Sequence, residues 1–229
     1  MISSLNSVEL LSYIIKQIDM FFPDENKCDN KILKKSVENA LERCEYCFSH
    51  IKNKQYFSDG RVLFSHLHAD QYATFLYFTS NYLWINYNDK ITCDKILNLQ
   101  RVLHGFFLSY KCHMPDIFYL NHPIGSIIGN ALYSDGLCIS QNVTINTHTD
   151  KDGCPDLKIG KGVFFAPGAK IIGNGEIGNR VSIGMDAIVY NKTIENDKVV
   201  INENGNLIIR DRIKKRCMAE SLIKMDFYE

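Results

Sequence analysis

A six-residue period runs through residues 159–193. The same frame repeats an apolar residue and, four positions later, a mostly smaller one: Ile159, Phe165, Ile171, Ile177, Ile183 and Val189, followed by Val163, Ala169, Gly175, Val181, Ala187 and Thr193. Six matches neither the 3.6-residue period of a helix nor the two-residue period of a strand. It is typical of a parallel β-helix, in which three short strands form one triangular coil around an apolar interior.

The same frame continues towards the N-terminus and then breaks once. Ile127, Tyr133 and Ile139 keep the period, but Ile145 and Ile159 are fourteen positions apart where twelve would keep phase. The polar segment between the last two contains Gly153 and Pro155, which predicts a loop expelled from the coil. Loops on a rigid scaffold often carry functional residues.

The segments around the repeat predict an α + β protein with three parts. Residues 1–112 have apolar residues at helical spacing and are expected to form an all-helical N-terminal domain, whose first helix opens at Asn6 with Glu9 in a capping box. Three further helices are expected at about 30–51, 63–86 and 92–108. The β-helix would occupy 113–195, and 196–229 would form a hairpin at Asn204-Gly205 and a tail, helical from about Asp211.

Composition narrows the classes of partner. The 229 residues carry 26 basic and 26 acidic side chains, so neither nucleic acid nor an anionic membrane is indicated as a partner. The most apolar run, 72–85, is too short to span a bilayer, and the N-terminus lacks the pattern of a signal peptide. Eight cysteines without a regular spacing suit a reduced protein, so we expect a cytoplasmic one without membrane insertion.

Four motifs resemble the serine acetyltransferases and their relatives from polysaccharide gene clusters. They lie at 120–129 (LNHPIGSIIG), 142–145 (NVTI), 158–163 (KIGKGV) and 168–174 (GAKIIGN). The resemblance implies a left-handed β-helix, acetyl-CoA as co-substrate, no metal and a homotrimer, and it leaves open whether two trimers pair. The family motif reads approximately LDHATGIVIG, and its catalytic histidine falls on His122.

The chain departs from this family at positions that bear on the acceptor. Asn121 stands where the family has an aspartate that helps to hold the serine amine, and the expelled loop reads Asp152-Gly153-Cys154-Pro155-Asp156, without the family's arginine and histidine. The C-terminal Gly-Val-Pro-Ala-Arg stretch is absent. The sequence therefore predicts an O-acetyltransferase that acts on a sugar hydroxyl of a surface polysaccharide or its precursor. The alternative is the serine O-acetyltransferase of cysteine biosynthesis.

Several polar residues are candidates for the reaction. His122 would be the general base, since imidazole ionises near neutral pH, and either Asp116 or a backbone carbonyl would fix its tautomer. Asn121, Asp135 and His148 would contact the acceptor. Asp135 could instead form a coil corner, and His148 could be an inert loop histidine or the base itself, as its position matches the base of other sugar acetyltransferases.

By resemblance, the pantetheine arm of coenzyme A would lie along the coils near Ala166, Pro167, Gly184 and Met185. Two other classes stay open. A zinc β-helix enzyme needs three histidines around one metal, and the coil from about residue 116 offers His122 and His148 alone. A scaffold that keeps the fold without turnover is the non-enzymatic alternative.

Overall fold

The computed structural model describes residues 1–146 and 155–228, and the chain divides into two compact units. The first unit comprises residues 1–49 and 53–111, and the second comprises residues 50–52 and 112–229. No helix in the described ranges combines the length and the apolarity that crossing a membrane requires.

Four helices make up most of the first unit. They are α1 (Ser7–Phe21), α2 (Asn30–Ser49), α3 (Ala69–Tyr87) and α4 (Lys90–His104). The predicted capping box is present: the Asn6 side chain accepts from the backbone of Glu9, whose carboxylate accepts from the Asn6 backbone at 2.8 Å. Helices α1, α2 and α4 each bury one side, as with Leu10 and Ile14 of α1, so apolar periodicity fixes which of their faces pack. Helix α3 is buried on all sides over residues 70–81.

The first unit is not all-helical, which corrects the prediction from sequence. Three short strands, β1 (Ile2–Ser3), β2 (Phe57–Ser58) and β3 (Arg61–Phe64), form a sheet in the order β1-β3-β2, and β4 (Phe107–Leu108) follows α4. A single 3₁₀ turn, Lys54–Tyr56, precedes β2. Asp59 and Gly60 join β2 to β3 with positive φ angles of 50° and 72°, as a two-residue hairpin requires.

The second unit consists mainly of short strands. They are β5 (Phe118–Leu120), β6 (Ile127–Ile128), β7 (Leu132–Tyr133), β8 (Leu137–Ile139), β9 (Thr144–Asn146), β10 (Leu157–Ile159), β11 (Phe164–Phe165), β12 (Lys170–Ile172), β13 (Gly175–Ile177), β14 (Ser182–Ile183), β15 (Ile188–Tyr190), β16 (Lys198–Glu203) and β17 (Asn206–Asp211). One short helix, α5 (Met218–Leu222), follows them.

These strands belong to three sheets that the chain visits in rotation. The first sheet orders β17-β16-β14-β11-β8-β5, the second includes β15-β12-β9-β6, and the third orders β13-β10-β7. Neighbouring strands are parallel except for β16 and β17, and partners such as Phe164 and Ser182 lie eighteen positions apart, which is three hexapeptides. This rotation is the path that the six-residue period predicts, whereas the handedness of the coil stays a prediction.

The interior of the coil contains the periodic residues. Ile159, Phe165, Ile171, Ile177, Ile183 and Val189 are all buried, as are Val163, Ala169, Val181 and Ala187. Each buried aliphatic side chain contributes about 1.5–3 kcal/mol, so the stacked rows provide much of the stability of this unit. The expelled loop predicted after Ile145 falls largely on 147–154, outside the described residues.

The hairpin predicted at Asn204-Gly205 is confirmed: β16 and β17 pair antiparallel around it. The tail differs from the prediction, because helix begins at Met218 rather than near Asp211 and is only five residues long. Past α5, the buried ring of Phe227 packs against Gly136 and Gly162. Arg180 Nη1 donates to the Phe227 carbonyl oxygen at 2.8 Å, so the tail is tied to the coil.

Candidate active site

His122 lies in the turn that follows β5, at one corner of the coil. Its side chain is exposed and its backbone has a φ angle of 54°, in the left-handed region that few residues other than glycine and asparagine occupy. The carbonyl of His122 accepts from the Ile124 amide at 2.8 Å, which closes the turn tightly behind the ring. The Asn-His-Pro sequence therefore presents an imidazole at the surface of the coil.

The next coil holds this turn in place. The Ile124 carbonyl accepts from the Asn142 amide at 2.9 Å, and the buried Ser126 hydroxyl donates to the Ser140 carbonyl at 3.0 Å. Gly125 has a φ angle of 76°, and a Cβ atom there would lie 2.1 Å from Asn142 Oδ1. Glycine is thus required for both the backbone angle and the close approach, and the turn has one defined geometry.

Strand register aligns His122 with all four residues predicted to contact coenzyme A. Leu120, Ile139, Phe165 and Ile183 are successive partners across the first sheet, so the residues that follow them stack at one corner. Asn121 is therefore in line with Ala166 and Gly184, and His122 is in line with Pro167 and Met185. The His122 turn and the Met185 turn are three strand spacings apart, about 14 Å.

The surface between these turns consists of hydrogen-bonded backbone and small residues. The Asp186 amide donates to the Pro167 carbonyl at 3.1 Å, so a hydrogen bond joins the adjacent turns. The Gly184 amide donates to the Val200 carbonyl at 2.7 Å, and a Cβ on Gly184 would lie 2.7 Å from that oxygen. Met185 is 68% exposed and borders the same corner. A ligand following this corner would meet small residues and one exposed thioether.

Asn121 is oriented by its own coil. Its amide donates to the Ile139 carbonyl at 2.8 Å, and its side-chain oxygen accepts from the Tyr119 hydroxyl at 3.1 Å. Tyr119 is buried, so this hydrogen bond fixes the Asn121 side chain immediately before His122. The carboxamide is neutral, so it adds no negative charge beside the imidazole.

Asp116 and Asp135 occupy a different corner. Asp116 precedes β5 and His122 follows it, and the three strand residues between them span about 10 Å. The structure therefore does not bring Asp116 to His122. The Asp135 carboxylate accepts from the Ile117 amide at 2.9 Å, and its carbonyl accepts from Gly162 at 2.9 Å, so its hydrogen bonds are those of a corner residue.

The remaining predictions from sequence concern His148 and a metal site. His148 lies outside the described residues, as do 152–154 of the loop, so the histidine alternative for the base stays untested. Within 1–146 and 155–228, no three His, Cys, Asp or Glu side chains are grouped so that they could hold a metal ion.

A basic segment, residues 210–216, was not among the functional residues predicted from the sequence. It contains Arg210, Arg212, Lys214, Lys215 and Arg216 around one acidic residue, and in the structure it lines a cleft beside Gly184. The signal was available as a charge run between a strand and a short helix. A helix was predicted there instead, from about Asp211.

Arg212 of this segment belongs to an ion-pair network with Arg180 and Asp197, which lie just before β14 and β16. Both Arg180 and Arg212 donate to the Asp197 carboxylate, the former at 2.5 Å. The hydrogen bond from Arg180 lowers the pKa of Asp197, and the same bond raises the pKa of Arg180. The network anchors the segment after β17 to the coil.

The curated proteins most similar to this chain in sequence include serine acetyltransferases. No protein-family model matches the chain. A serine acetyltransferase of Staphylococcus aureus is 25% identical over 131 residues, which cover 56% of this chain and 61% of that protein. A serine acetyltransferase of Synechococcus elongatus is 27% identical over 118 residues, covering 51% and 48%. The chain thus spans less than two thirds of the curated relatives it matches.

Solved structures extend the likeness to nearly the whole chain. The crystal structure of serine acetyltransferase from Neisseria gonorrhoeae superposes with a TM-score of 0.67 at 17% identity, over 90% of this chain and 81% of that one. The enzyme from Vibrio cholerae gives 0.65 at 20% identity, over 95% and 83%. A serine acetyltransferase in complex with CoA gives 0.65 at 18% identity, over 89% and 85%. The chain has the fold of these proteins.

Proposed function

We propose that this protein is an acetyl-CoA-dependent O-acetyltransferase whose active site is the corner that contains His122. The observation that carries the proposal is the register that aligns Asn121 and His122 with Ala166, Pro167, Gly184 and Met185. The serine acetyltransferase relatives and the CoA-bound neighbour support it independently. A base and a long backbone-lined surface at one corner are what transfer from a thioester requires.

In this proposal His122 takes the proton from the acceptor hydroxyl. The hydroxyl oxygen attacks the thioester carbon, backbone amides at the corner stabilise the oxyanion, and the C–S bond breaks. The proton held by His122 passes to the departing sulfur, so coenzyme A leaves as a thiol. Asp116 would contribute only if it moved towards the base, so a backbone carbonyl is the better partner for fixing the tautomer.

L-Serine is the acceptor we propose. The relatives are named serine acetyltransferases, and one structural neighbour was solved in complex with serine, at 18% identity. These findings favour the alternative that the sequence analysis left open over its polysaccharide hydroxyl. The sugar remains a second candidate for one reason: Asn121 supplies a neutral group where an aspartate would hold the serine amine. Asp135 and His148 stay candidates for acceptor contacts.

The assembly belongs to the same proposal. We infer a left-handed coil, an acyltransferase domain over 113–195 and a homotrimer in which the corner is completed by a neighbour. Whether two trimers pair is left to measurement. The cytoplasmic location also stays a prediction.

One assay tests the function. Purified protein is incubated with acetyl-CoA and either L-serine, nucleotide sugars or oligosaccharides, and thiol release is followed with a no-acceptor control. We expect serine to give a kcat/KM of about 10⁴ M⁻¹s⁻¹ or more. Activity on a sugar alone would move the acceptor to the second candidate. Absence of thiol release with every acceptor, in protein that is folded, would contradict the transferase proposal.

A further inference from the structure

The Asn121 carboxamide has a defined orientation next to the proposed base. Its Oδ1 accepts from the Tyr119 hydroxyl at 3.1 Å, and the two side chains lie on the same side of the chain because they are two positions apart at the end of β5. Tyr119 is buried, so its ring has little freedom to carry the hydroxyl away. The acceptor half of the carboxamide is therefore already in use.

The donor half of the same carboxamide is left for a ligand. Asn121 Nδ2 has no hydrogen-bond partner within residues 1–146 and 155–228, and the side chain is half-buried rather than enclosed. An amide nitrogen carries two N–H donors and no acceptor. Residue 121 therefore offers only donors to a molecule bound beside His122.

Tyr119 opposes a rotation of the carboxamide that would exchange its two halves. After a half-turn, an N–H group of Asn121 would face the hydroxyl proton of Tyr119, and two donors that face each other are unfavourable. The backbone holds the residue as well, since the Asn121 amide donates to the Ile139 carbonyl at 2.8 Å. The donor at this position is thus set by the coil before any ligand arrives.

A donor at residue 121 discriminates between the polar groups of an acceptor molecule. L-Serine carries a hydroxyl, which reacts at His122, together with an ammonium and a carboxylate. The ammonium has donors and no acceptor, so it cannot pair with Asn121 Nδ2, whereas a carboxylate oxygen can. A hydrogen bond to a carboxylate is charge-assisted and stronger than one between neutral groups. The carboxylate is therefore the group of serine that fits this position.

We propose that Asn121 binds the carboxylate of the acceptor, that Tyr119 positions its carboxamide, and that the substrate class is the 3-hydroxy acids with or without an amine. The inference rests on the proposed function, because it assigns one group of the acceptor to one side chain of the same site. L-Serine belongs to this class as its amino member. The ammonium of serine has no role at residue 121.

The test uses three acceptors that separate the two charged groups of serine. L-Serine has both groups, 3-hydroxypropionate has the carboxylate alone, and 2-aminoethanol has the amine alone. Thiol release from acetyl-CoA gives kcat/KM for each acceptor with the wild type, Asn121→Asp and Tyr119→Phe. Asn30→Asp, at an exposed position in the first turn of α2, is the control for the added negative charge.

We expect the wild type to prefer 3-hydroxypropionate to 2-aminoethanol by about tenfold or more, because the amine cannot accept the hydrogen bond from Asn121. Asn121→Asp should invert this preference, since a carboxylate there repels the acid and attracts the ammonium. Tyr119→Phe should reduce it by about threefold or more, because a released carboxamide can turn Oδ1 towards the ammonium. Asn30→Asp should keep the wild-type ratio. A merely structural role would lower all rates together and leave the ratio unchanged.

Two results separate this inference from the proposed function. If L-serine is acetylated but 2-aminoethanol is preferred to 3-hydroxypropionate, or Asn121→Asp leaves their ratio unchanged, the inference is overturned and the transferase stands. If none of the three is acetylated, the proposed serine acceptor fails, and calorimetry with the full-length proteins decides the inference. Tighter binding of 3-hydroxypropionate than of 2-aminoethanol, reversed in Asn121→Asp, would support it, and equal affinities would overturn it.

Discussion

The His122 backbone constrains how its side chain can be tested. With a φ angle of 54°, this position costs most L-residues roughly 1–2 kcal/mol, and asparagine tolerates it better than alanine does. An alanine variant would therefore mix loss of the imidazole with backbone strain. Asparagine removes the base and keeps the turn, which makes it the cleaner substitution.

We expect His122→Asn to lower kcat by roughly 10²–10⁴-fold, the usual contribution of a general base, with little change in acetyl-CoA affinity. Stopped assays of thiol release and calorimetry with coenzyme A measure the two quantities. His148→Ala, assayed beside it, should raise the acceptor KM more than it lowers kcat. Loss of turnover in His148→Ala with near-normal turnover in His122→Asn would move the base to the loop histidine.

The Asp197 carboxylate gives a pH-dependent contribution to stability. Its pKa is lowered in the folded chain by the hydrogen bond from Arg180, so the stabilisation is present above the unfolded pKa of about 3.9 and is lost as pH falls through the folded value. We expect Asp197→Asn to lower the free energy of unfolding by about 1 kcal/mol at pH 7, because two mostly buried guanidinium groups lose the negative charge and one of the two acceptor oxygens of a carboxylate that is 41% exposed and partly screened by solvent.

Urea unfolding at pH 7 and at stepwise lower pH measures this difference, which should shrink below about pH 4. Asp211→Asn is the matched control, since its side chain is 89% exposed beside Lys198 and surface pairs contribute little. A difference between wild type and Asp197→Asn that stays constant down to pH 2 would show that the carboxylate charge is not its source.

Elements with a strong internal period could be predicted, and those that depend on distant pairing could not. The hexapeptide repeat and the Asn204-Gly205 hairpin are local signals, and both features are present. By contrast, β3 was expected to be the start of a helix, because its apolar residues are compatible with both structures. It pairs with β1, about sixty positions away, and only the Asp59-Gly60 turn marked it locally.

The tail between α5 and residue 228 packs against two glycines of the coil, Gly136 and Gly162. A Cβ on Gly162 would lie 2.5 Å from the Phe227 ring, and the Gly162 φ angle is 68°. Gly205, in the hairpin, has a similar φ angle of 82° but open space around it. We expect Gly162→Ala to be more destabilising than Gly205→Ala by about 1–3 kcal/mol, because overpacking is added to a similar backbone strain.

Thermal or urea unfolding of both variants measures this difference. The double variant Gly162→Ala with Phe227→Ala provides the control, since removing the ring removes the collision and should make the two losses less than additive. Equal destabilisation by Gly162→Ala and Gly205→Ala would mean that Phe227 does not press on the coil.

At the scale of the molecule, the sequence predicted which residues stack at one corner of the coil more reliably than what surrounds that corner. The motif at His122 and the coil motifs identified one corner because strand register carries a six-residue period into space. The basic cleft could not be located in this way, since its lining comes from β11, β14, β16 and β17 and from the segment after β17. Asp116 as the partner of His122 stays a prediction, and strand β5 lies between the two residues in the chain.

The second sheet exposes apolar side chains that bear on assembly. Ile127, Thr144, Lys170 and Ile188 are successive partners on its outer face, and the isoleucines at the two ends of this row are 51% and 52% exposed. Tyr190, on the same strand as Ile188, is 62% exposed. Ile188 and Tyr190 share one face of β15, and an exposed apolar patch of this kind is typical of a surface that another chain covers.

We expect the wild-type chain to be a trimer at micromolar concentration and Ile188→Glu to dissociate it, because a carboxylate buried without a partner opposes association. Light scattering coupled to size exclusion measures the mass. Leu67→Glu is the control, since Leu67 is 80% exposed in the first unit and its variant should remain trimeric. A wild-type monomer would refute the trimer, and a trimer that survives Ile188→Glu would place its contacts on another face. If the corner at His122 is completed by a neighbouring chain, dissociation should also abolish acetyl transfer while leaving the fold intact.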